Sequence, residues 1–239
     1  GGNVGGSLLD RLDQIGLEDW VVLEMSSFQL WHAGPPARMP EVAVVTGCTP
    51  NHLDWHGTLA HYVAAKQRML TGQTADGLAV LNTEDPEVAS WTTLVRGRQL
   101  TLMPEDALPP LAVPGRHNRL DARLAATAAV GVGCSPGAVG QGLASFSTLP
   151  GRLELVAVIE GRRFYNDTTA TTPESTIAAL EALEGPVFLL AGGGDKGSGF
   201  GGLAAAIVRR TRGAALYGAV RDRLASEILA LDPAFSCTS

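Results

Sequence analysis

Three side chains of different chemistry stand where an α/β chain could use them together: Glu24, His52 and Lys66. Glu24 sits near the end of one apolar run, 19–25 (DWVVLEM), and His52 follows another, 41–47 (EVAVVTG), by a few residues. Both runs read as buried strands, and parallel sheets bind ligands outside the carboxyl ends of their strands. A carboxylate and an imidazole on one sheet edge suit a divalent cation, with Mg²⁺ favouring oxygen ligands and water. His56 and His61 are rival ligands by residue type. Lys66 interrupts the apolar stripe Leu59, Tyr62, Val63, Met69 and Leu70 of a helix expected over 58–71. Its stem could pack there while the amine reaches water. The alternative is an amine with a lowered pKa, open to covalent modification or to pairing with a charged site. Of the 18 basic residues 16 are arginine, so each of the two lysines, Lys66 and Lys196, is informative. Arginine cannot replace lysine where a titratable amine is required.

Two glycine runs invite a phosphate-binding reading and do not support it. Gly1-Gly2-Asn3-Val4-Gly5-Gly6 lacks a preceding strand, and in Gly192–Gly197 the lysine is followed by Gly rather than Ser or Thr. The pattern G-x-x-x-x-G-K-[ST] occurs nowhere in the 239 residues. The run at 192–197 could still form a backbone nest for a carboxylate. The net charge of −6 argues against a nucleic-acid groove. Cys48, Cys134 and Cys237 have neither disulfide-framework nor zinc spacing. No apolar run approaches a spanning helix, and no signal-peptide pattern opens the chain, so the sequence reads as cytoplasmic.

The elements that must position these residues alternate in type, as in βαβ units with a mainly parallel sheet. A third strand is expected at 77–82, an Ala-rich helix at 116–130, and a helix from Ser135-Pro136 toward Ala144. Pro104, Pro109, Pro110 and Pro114 mark an irregular loop. Periodicity lapses at 145–151, where a boundary separates domains 1–148 and 149–239. Beyond it come a hairpin turning at Glu160-Gly161, a helix capped by Thr172-Pro173-Glu174, a strand at 186–191, and then helix, strand (214–217) and helix.

Several motifs occur in one order: Glu24-Met25-Ser26-Ser27-Phe28-Gln29-Leu30, then Thr49-Pro50-Asn51-His52-Leu53-Asp54, then Tyr62-x-x-Ala65-Lys66. Together they resemble the Mur ligase superfamily. Leu149-Pro150-Gly151-Arg152-Leu153-Glu154, Asn166-Asp167-Thr168-Thr169-Ala170-Thr171 and Gly193-Gly194-Asp195-Lys196-Gly197 are similar to its D-glutamate-adding branch. The resemblance implies part of a central ATPase domain followed by a Rossmann-like C-terminal domain. It also implies an acyl-phosphate ligase acting in peptidoglycan precursor synthesis, monomeric, with ATP and Mg²⁺ as cofactors. The implied substrates are UDP-N-acetylmuramoyl-L-alanine and D-glutamate.

Carried over residue by residue, Glu24, His52 and a carbamylated Lys66 would hold Mg²⁺ and be catalytic. Asn118, Asp121, Arg152 and Asp167 would bind the nucleotide. Asn3, Ser26 and Gln29 would meet the UDP-muramoyl substrate, and Thr171 and Lys196 the carboxylates of D-glutamate. Two positions depart from the family pattern. Asp121 replaces a common Asn, and can accept from an adenine amino group but not donate to the ring. Thr169 stands where many members have lysine, which leaves Lys196 a larger share of anion binding. A phosphate loop and an N-terminal domain are expected before Gly1, so the 239 residues alone are expected to lack ligase activity. Other Mur-type or folylpolyglutamate-type ligases, or a non-catalytic nucleotide-binding fragment, are the alternatives.

Overall fold

The computed structural model describes residues 1–4, 6–33, 39–194 and 199–238, and the chain divides into two compact units. The first comprises residues 1–102 with 127–132, and the second 103–126 with 133–239.

In the first unit the chain runs through α1 (Ser27–His32), β1 (Val42–Val45), α2 (Leu53–His56), α3 (Leu59–Thr71), β2 (Leu78–Leu81), α4 (Pro86–Ser90) and β3 (Arg98–Gln99). The strands form a parallel sheet in the order β1-β2-β3, with Val42 opposite Leu78 and Leu78 opposite Arg98. VAVV and LAVL have no polar face because parallel strands are covered on both sides. Thr58 caps α3, its side chain accepting from the His61 N–H. The stripe then buries Tyr62, Ala65 and Leu70; Tyr62 and Leu70 pack with Ala43, Val45, Leu81, Val88 and Trp91. Each fully buried leucine of that core contributes about 1.5–3 kcal/mol. Lys66 is half-buried, as expected for a cation inside this stripe.

The expected strand at 19–25 is not formed. Its single ladder contact is a parallel bridge between Gly2 and Glu24. The Asn3 N–H donates to the Glu24 carbonyl at 2.8 Å, and the Glu24 N–H to the Gly1 carbonyl at 3.0 Å. A β ladder needs a paired neighbour along its length, and among the described residues 19–25 is bridged at Glu24 alone. Val22 is accordingly 81% exposed and Trp20 58%. The bridge itself requires glycine. Gly2 has φ +98°, and a Cβ there would lie 2.2 Å from the Glu24 carbonyl oxygen.

Helix α5 (Arg116–Gly131) carries Gly115 before it in a left-handed conformation, φ +102°. In the second unit follow α6 (Pro136–Ser145), β4 (Glu154–Ile159), β5 (Arg162–Asn166), α7 (Pro173–Ala182), β6 (Val187–Gly193), α8 (Gly201–Arg210), β7 (Thr211–Gly218), α9 (Arg221–Leu231) and β8 (Cys237–Thr238). Ser135 and Thr172 cap α6 and α7 with their hydroxyls, and each helix has proline in its first turn. β4 and β5 pair antiparallel around Glu160 (φ 50°) and Gly161 (φ 75°), the two left-handed residues of a tight hairpin turn. β6, β7 and β8 form a second parallel sheet, packed through Leu180, Leu203, Ile207, Leu216, Leu224 and Ile228. The architecture is α/β with parallel sheets. Among the described residues no helix is long and apolar enough to cross a membrane.

Candidate functional site

In the first unit, the segment after Glu24 turns directly into α1. Ser26 and Gln29 cap that helix reciprocally: the Ser26 hydroxyl accepts from the Gln29 N–H at 3.3 Å, and the Gln29 side-chain oxygen accepts from the Ser26 N–H at 2.9 Å. Both expected substrate contacts therefore start from a fixed position. Asn3 is exposed, tied to this segment through its backbone.

Phe28 joins α1 to α2. Its ring centroid lies 4.9 Å from that of His52, 4.8 Å from Trp55 and 5.5 Å from His56. His52 occupies the N-cap position of α2 in a left-handed conformation, φ 53° and ψ 34°, with Asn51 Oδ1 accepting its N–H at 2.8 Å. Such strain in a non-glycine residue is held by its surroundings and concentrates at functional positions.

The rival histidines are engaged elsewhere. His56 is 6% exposed, with Nε2 2.9 Å from Ser27 Oγ and Nδ1 2.8 Å from His61 Nδ1. Two imidazole nitrogens at that distance share one proton, so one ring donates and the other accepts. The ring is buried, and its pKa is lowered, first by burial and then by His61 and His52. Both nitrogens of His56 are thus occupied, whereas among the described residues the His52 ring makes an edge contact to Phe28 and no hydrogen bond, and Glu24 is exposed.

The Lys66 amine lies 5.4 Å over the Tyr62 ring. Burial pushes the Tyr62 phenol up to about 12, and the Cys48 thiol up to about 11, with Lys66 opposing the rise at Cys48. Near neutral pH both neighbours are uncharged, so neither is a counter-ion for this lysine. Among the described residues no hydrogen bond or ion pair occupies the heads of Glu24, His52 and Lys66. Nor does any cluster of three or more His, Cys, Asp and Glu residues there surround a possible metal position. The set Glu24, His52 and Lys66 has only two members of those types.

The second unit holds all four expected nucleotide contacts, Asn118, Asp121, Arg152 and Asp167, and two of them, Asp121 and Asp167, feel the charge of His117. The Asn118 amide donates to the Pro114 carbonyl at 2.5 Å, bracing the first turn of α5. Burial of its carboxyl raises the Asp121 pKa although the residue remains solvent-accessible, and His117 opposes the rise. Asp167 feels the same histidine. Its pKa is raised by burial and lowered by the Leu153 N–H, Arg152 and His117.

The Arg152 turn is clamped against the Asp167 loop. Asp167 Oδ1 accepts the Leu153 N–H at 2.8 Å, and the Gly151 carbonyl accepts the Thr169 hydroxyl at 2.5 Å and the Thr169 N–H at 3.1 Å. Leu153 is held there at φ 46°. Thr169, read from the sequence only as the absence of a lysine, thus has its own role in the turn. Thr171 is exposed just before the α7 cap, and Lys196 lies outside the described residues.

Sequence reasoning did not find Ser27 or Asp85, and it read His56 as a rival ligand rather than as a support; all three make long-range bonds that orient this region. Asp85 was open to recognition as the Asp-Pro start of a helix, since its Oδ1 accepts the Glu87 and Val88 N–H groups.

The profile of the Mur ligase middle domain matches residues 8–104. A UDP-N-acetylmuramoylalanine–D-glutamate ligase of Symbiobacterium thermophilum is 33% identical over 94% of this chain and 54% of its own length. One of the same name from Pelotomaculum thermopropionicum is 36% identical over 84% of this chain and 49% of its own. The chain therefore spans about half the length of the curated relatives it matches. Among solved structures, MurF of Acinetobacter baumannii superposes with a TM-score of 0.72 at 16% identity, over 86% of this chain and 53% of that one. MurF ligase of Thermotoga maritima, solved in complex with ADP, gives 0.60 at 18% identity over 80% and 51%. These two likenesses concern the fold alone.

Proposed function

The chain belongs to the Mur ligase superfamily, and on that premise we propose that the natural protein joins D-glutamate to UDP-N-acetylmuramoyl-L-alanine at the expense of ATP. The observation that carries this reading is 33% identity across 94% of the chain to a relative named for that reaction. In this reading residues 1–148 form the central domain and 149–239 a Rossmann-like C-terminal domain. The parallel β6-β7-β8 sheet supports the second assignment.

The chemistry follows from a poor electrophile. A carboxylate does not acylate an amine until its oxygen becomes a leaving group. The carboxylate of UDP-N-acetylmuramoyl-L-alanine takes the γ-phosphoryl group of ATP, releasing ADP. The D-glutamate amine then attacks the acyl carbon, and phosphate leaves with the C–O bond electrons as the amide forms and the amine gives up a proton.

Asn118 and Asp121 orient the adenine, Asp167 the ribose and Arg152 the phosphates, and the electrostatic links of His117 to Asp121 and Asp167 and of Arg152 to Asp167 support treating them as one group. Asp121 accepts from the adenine amino group. Ser26, Gln29 and Asn3 hold the UDP-muramoyl substrate at the start of α1. Lys196, a compact cation, and Thr171 grip the D-glutamate carboxylates.

Glu24, His52 and Lys66 fit a divalent cation by donor type, and among the described residues no hydrogen bond or ion pair occupies their heads. Glu24 and His52 would hold Mg²⁺ with a carbamate on Lys66, which turns an ammonium into an anionic oxygen donor. When bound, Mg²⁺ supplies charge neutralisation for phosphoryl transfer.

The test is amide formation by the natural protein with ATP, Mg²⁺ and UDP-N-acetylmuramoyl-L-alanine across a panel of amino acids. D-Glutamate alone is expected to be incorporated. Preference for another amino acid would assign the chain to a sibling ligase, and nucleotide binding without any turnover would refute the enzymatic reading.

A further inference from the structure

We propose that Asp85 is a positioning residue for the proposed cation ligand His52, gripping the loop that delivers it. The proposal rests on the reading of His52 given above.

As the N-cap of α4, Asp85 needs only one oxygen. Its Oδ1 accepts the Glu87 N–H at 2.9 Å and the Val88 N–H at 3.2 Å. Serine or asparagine caps a helix equally well. The second oxygen does something a cap does not require: Oδ2 accepts the Cys48 N–H at 2.7 Å, 37 residues away in sequence. That length is typical of a charge-assisted bond, about twice as strong as a neutral one.

Asn82, three residues earlier, completes the grip. Its N–H donates to the Val45 carbonyl at 2.9 Å, and its Nδ2 to the Thr46 carbonyl at 2.8 Å. Its Oδ1 accepts the Glu84 N–H at 3.0 Å, and its carbonyl accepts the Asp85 N–H at 3.2 Å. The turn leaving β2 is therefore self-braced and holds the backbone leaving β1 at Val45, Thr46 and Cys48.

Between the last two lies Gly47, where a Cβ would stand 3.3 Å from Asp85 Oδ2. Cys48 is buried, which anchors the loop's far side in the core. Only Thr49, Pro50 and Asn51 then separate this anchor from His52 in its left-handed conformation. A short tether to a fixed anchor leaves the imidazole few alternative positions. Asp85 touches no substrate in this account and acts through Cys48.

The experiment uses the natural protein and Mn²⁺ as the probe, its affinity read by electron paramagnetic resonance. Variants Asp85→Ser, Gly47→Ala and His52→Ala are compared, with the KM for D-glutamate and the melting temperature measured alongside. Serine keeps the cap but is too short to reach Cys48. Losing that one charge-assisted bond is expected to weaken Mn²⁺ binding about tenfold in Asp85→Ser, with the KM for D-glutamate unchanged. Gly47→Ala, which leaves the cap intact and displaces Oδ2 by tenths of an ångström, is expected to weaken it less but measurably.

Unchanged Mn²⁺ affinity in Asp85→Ser, with a loss in His52→Ala, would overturn the clamp alone. Equal affinity in wild type and His52→Ala would overturn the cation reading, and the clamp with it. Parallel losses in Mn²⁺ affinity and D-glutamate KM would show general destabilisation and refute the positioning role. If Asp85→Ser does not fold, Gly47→Ala decides the matter, wild-type Mn²⁺ affinity there refuting the proposal.

Discussion

Replacing His56 by alanine removes a buried ring from between α1, α2 and α3 and leaves two hydrogen-bonding groups unpartnered. The ring touches Phe28, Trp55 and Tyr62, with centroids 5.5, 4.5 and 5.3 Å away. Truncating a buried phenylalanine or tryptophan to alanine costs about 3–5 kcal/mol; imidazole is smaller and less apolar, so about 2 kcal/mol is the share from packing. Ser27 is buried, and leaving its hydroxyl without the His56 partner adds about 1–3 kcal/mol. The expected loss is about 3–5 kcal/mol, comparable with a third to a half of the stability of a typical domain. Denaturant unfolding followed by tryptophan fluorescence measures it cleanly, because Trp20, Trp31, Trp55 and Trp91 all lie in the first unit. A loss below about 1 kcal/mol would show that neither packing nor the Ser27 bond matters at this position.

The companion His56→Phe keeps a ring of similar breadth, loses both hydrogen bonds and cannot be protonated. Its value is in the pH dependence. Burial lowers the His56 pKa from 6.5, so below pH 6.5 the unfolded chain takes up a proton that the folded one resists. The stability contributed by the neutral ring is present above 6.5 and is lost as pH falls through the lowered folded value. In EDTA, wild type should therefore lose stability relative to His56→Phe by up to about 1.4 kcal/mol per pH unit in that window. A gap between the two proteins that stays constant from about pH 8 to pH 5 would refute the assignment.

Three further outcomes are expected. Lys66→Arg keeps the positive charge and cannot form a carbamate, so the natural protein should lose most of its ligase turnover; near-normal turnover would exclude the carbamate. Lys196→Ala should raise the KM for D-glutamate about ten- to a hundredfold, and that for ATP far less, and equal losses would point to misfolding. Thr169→Val removes the hydroxyl bond to the Gly151 carbonyl, and should cost about 1 kcal/mol in stability and raise the KM for ATP through the Arg152 turn. A Thr169→Val protein identical to wild type in both measurements would show that the bond is incidental.

What could be read in the sequence was what is decided locally. Ser135 and Thr172 cap their helices because an oxygen accepts from an N–H three residues on, all within one short stretch of chain. VAVV and LAVL are strands because a run without a polar face suits a doubly covered parallel sheet. The run at 19–25 carries the same kind of signal and is bridged only at Glu24 among the described residues, because pairing is a property of two segments and is not written in one of them. The two-residue strands β3 and β8 failed in the opposite sense. Each exists only because a neighbour's edge is in register, with Leu78 opposite Arg98 and Ala214 opposite Cys237.

The histidines show where local reading stops in the site itself. By residue type His52, His56 and His61 are equal candidates for a cation, and no spacing rule separates them. What distinguishes them is which nitrogens are already in use, and that depends on Ser27, 29 residues from His56. The same holds for Asp85, whose capping oxygen is legible from the following proline while the other oxygen's partner is 37 residues distant. A carboxylate with two engaged oxygens and an imidazole with two engaged nitrogens are structural supports. A neighbouring imidazole of the same type with both nitrogens unengaged is left for a ligand. Among the described residues no hydrogen bond or ion pair occupies the heads of Glu24 and Lys66 either, and it is this that separates His52 from His56 where residue type does not.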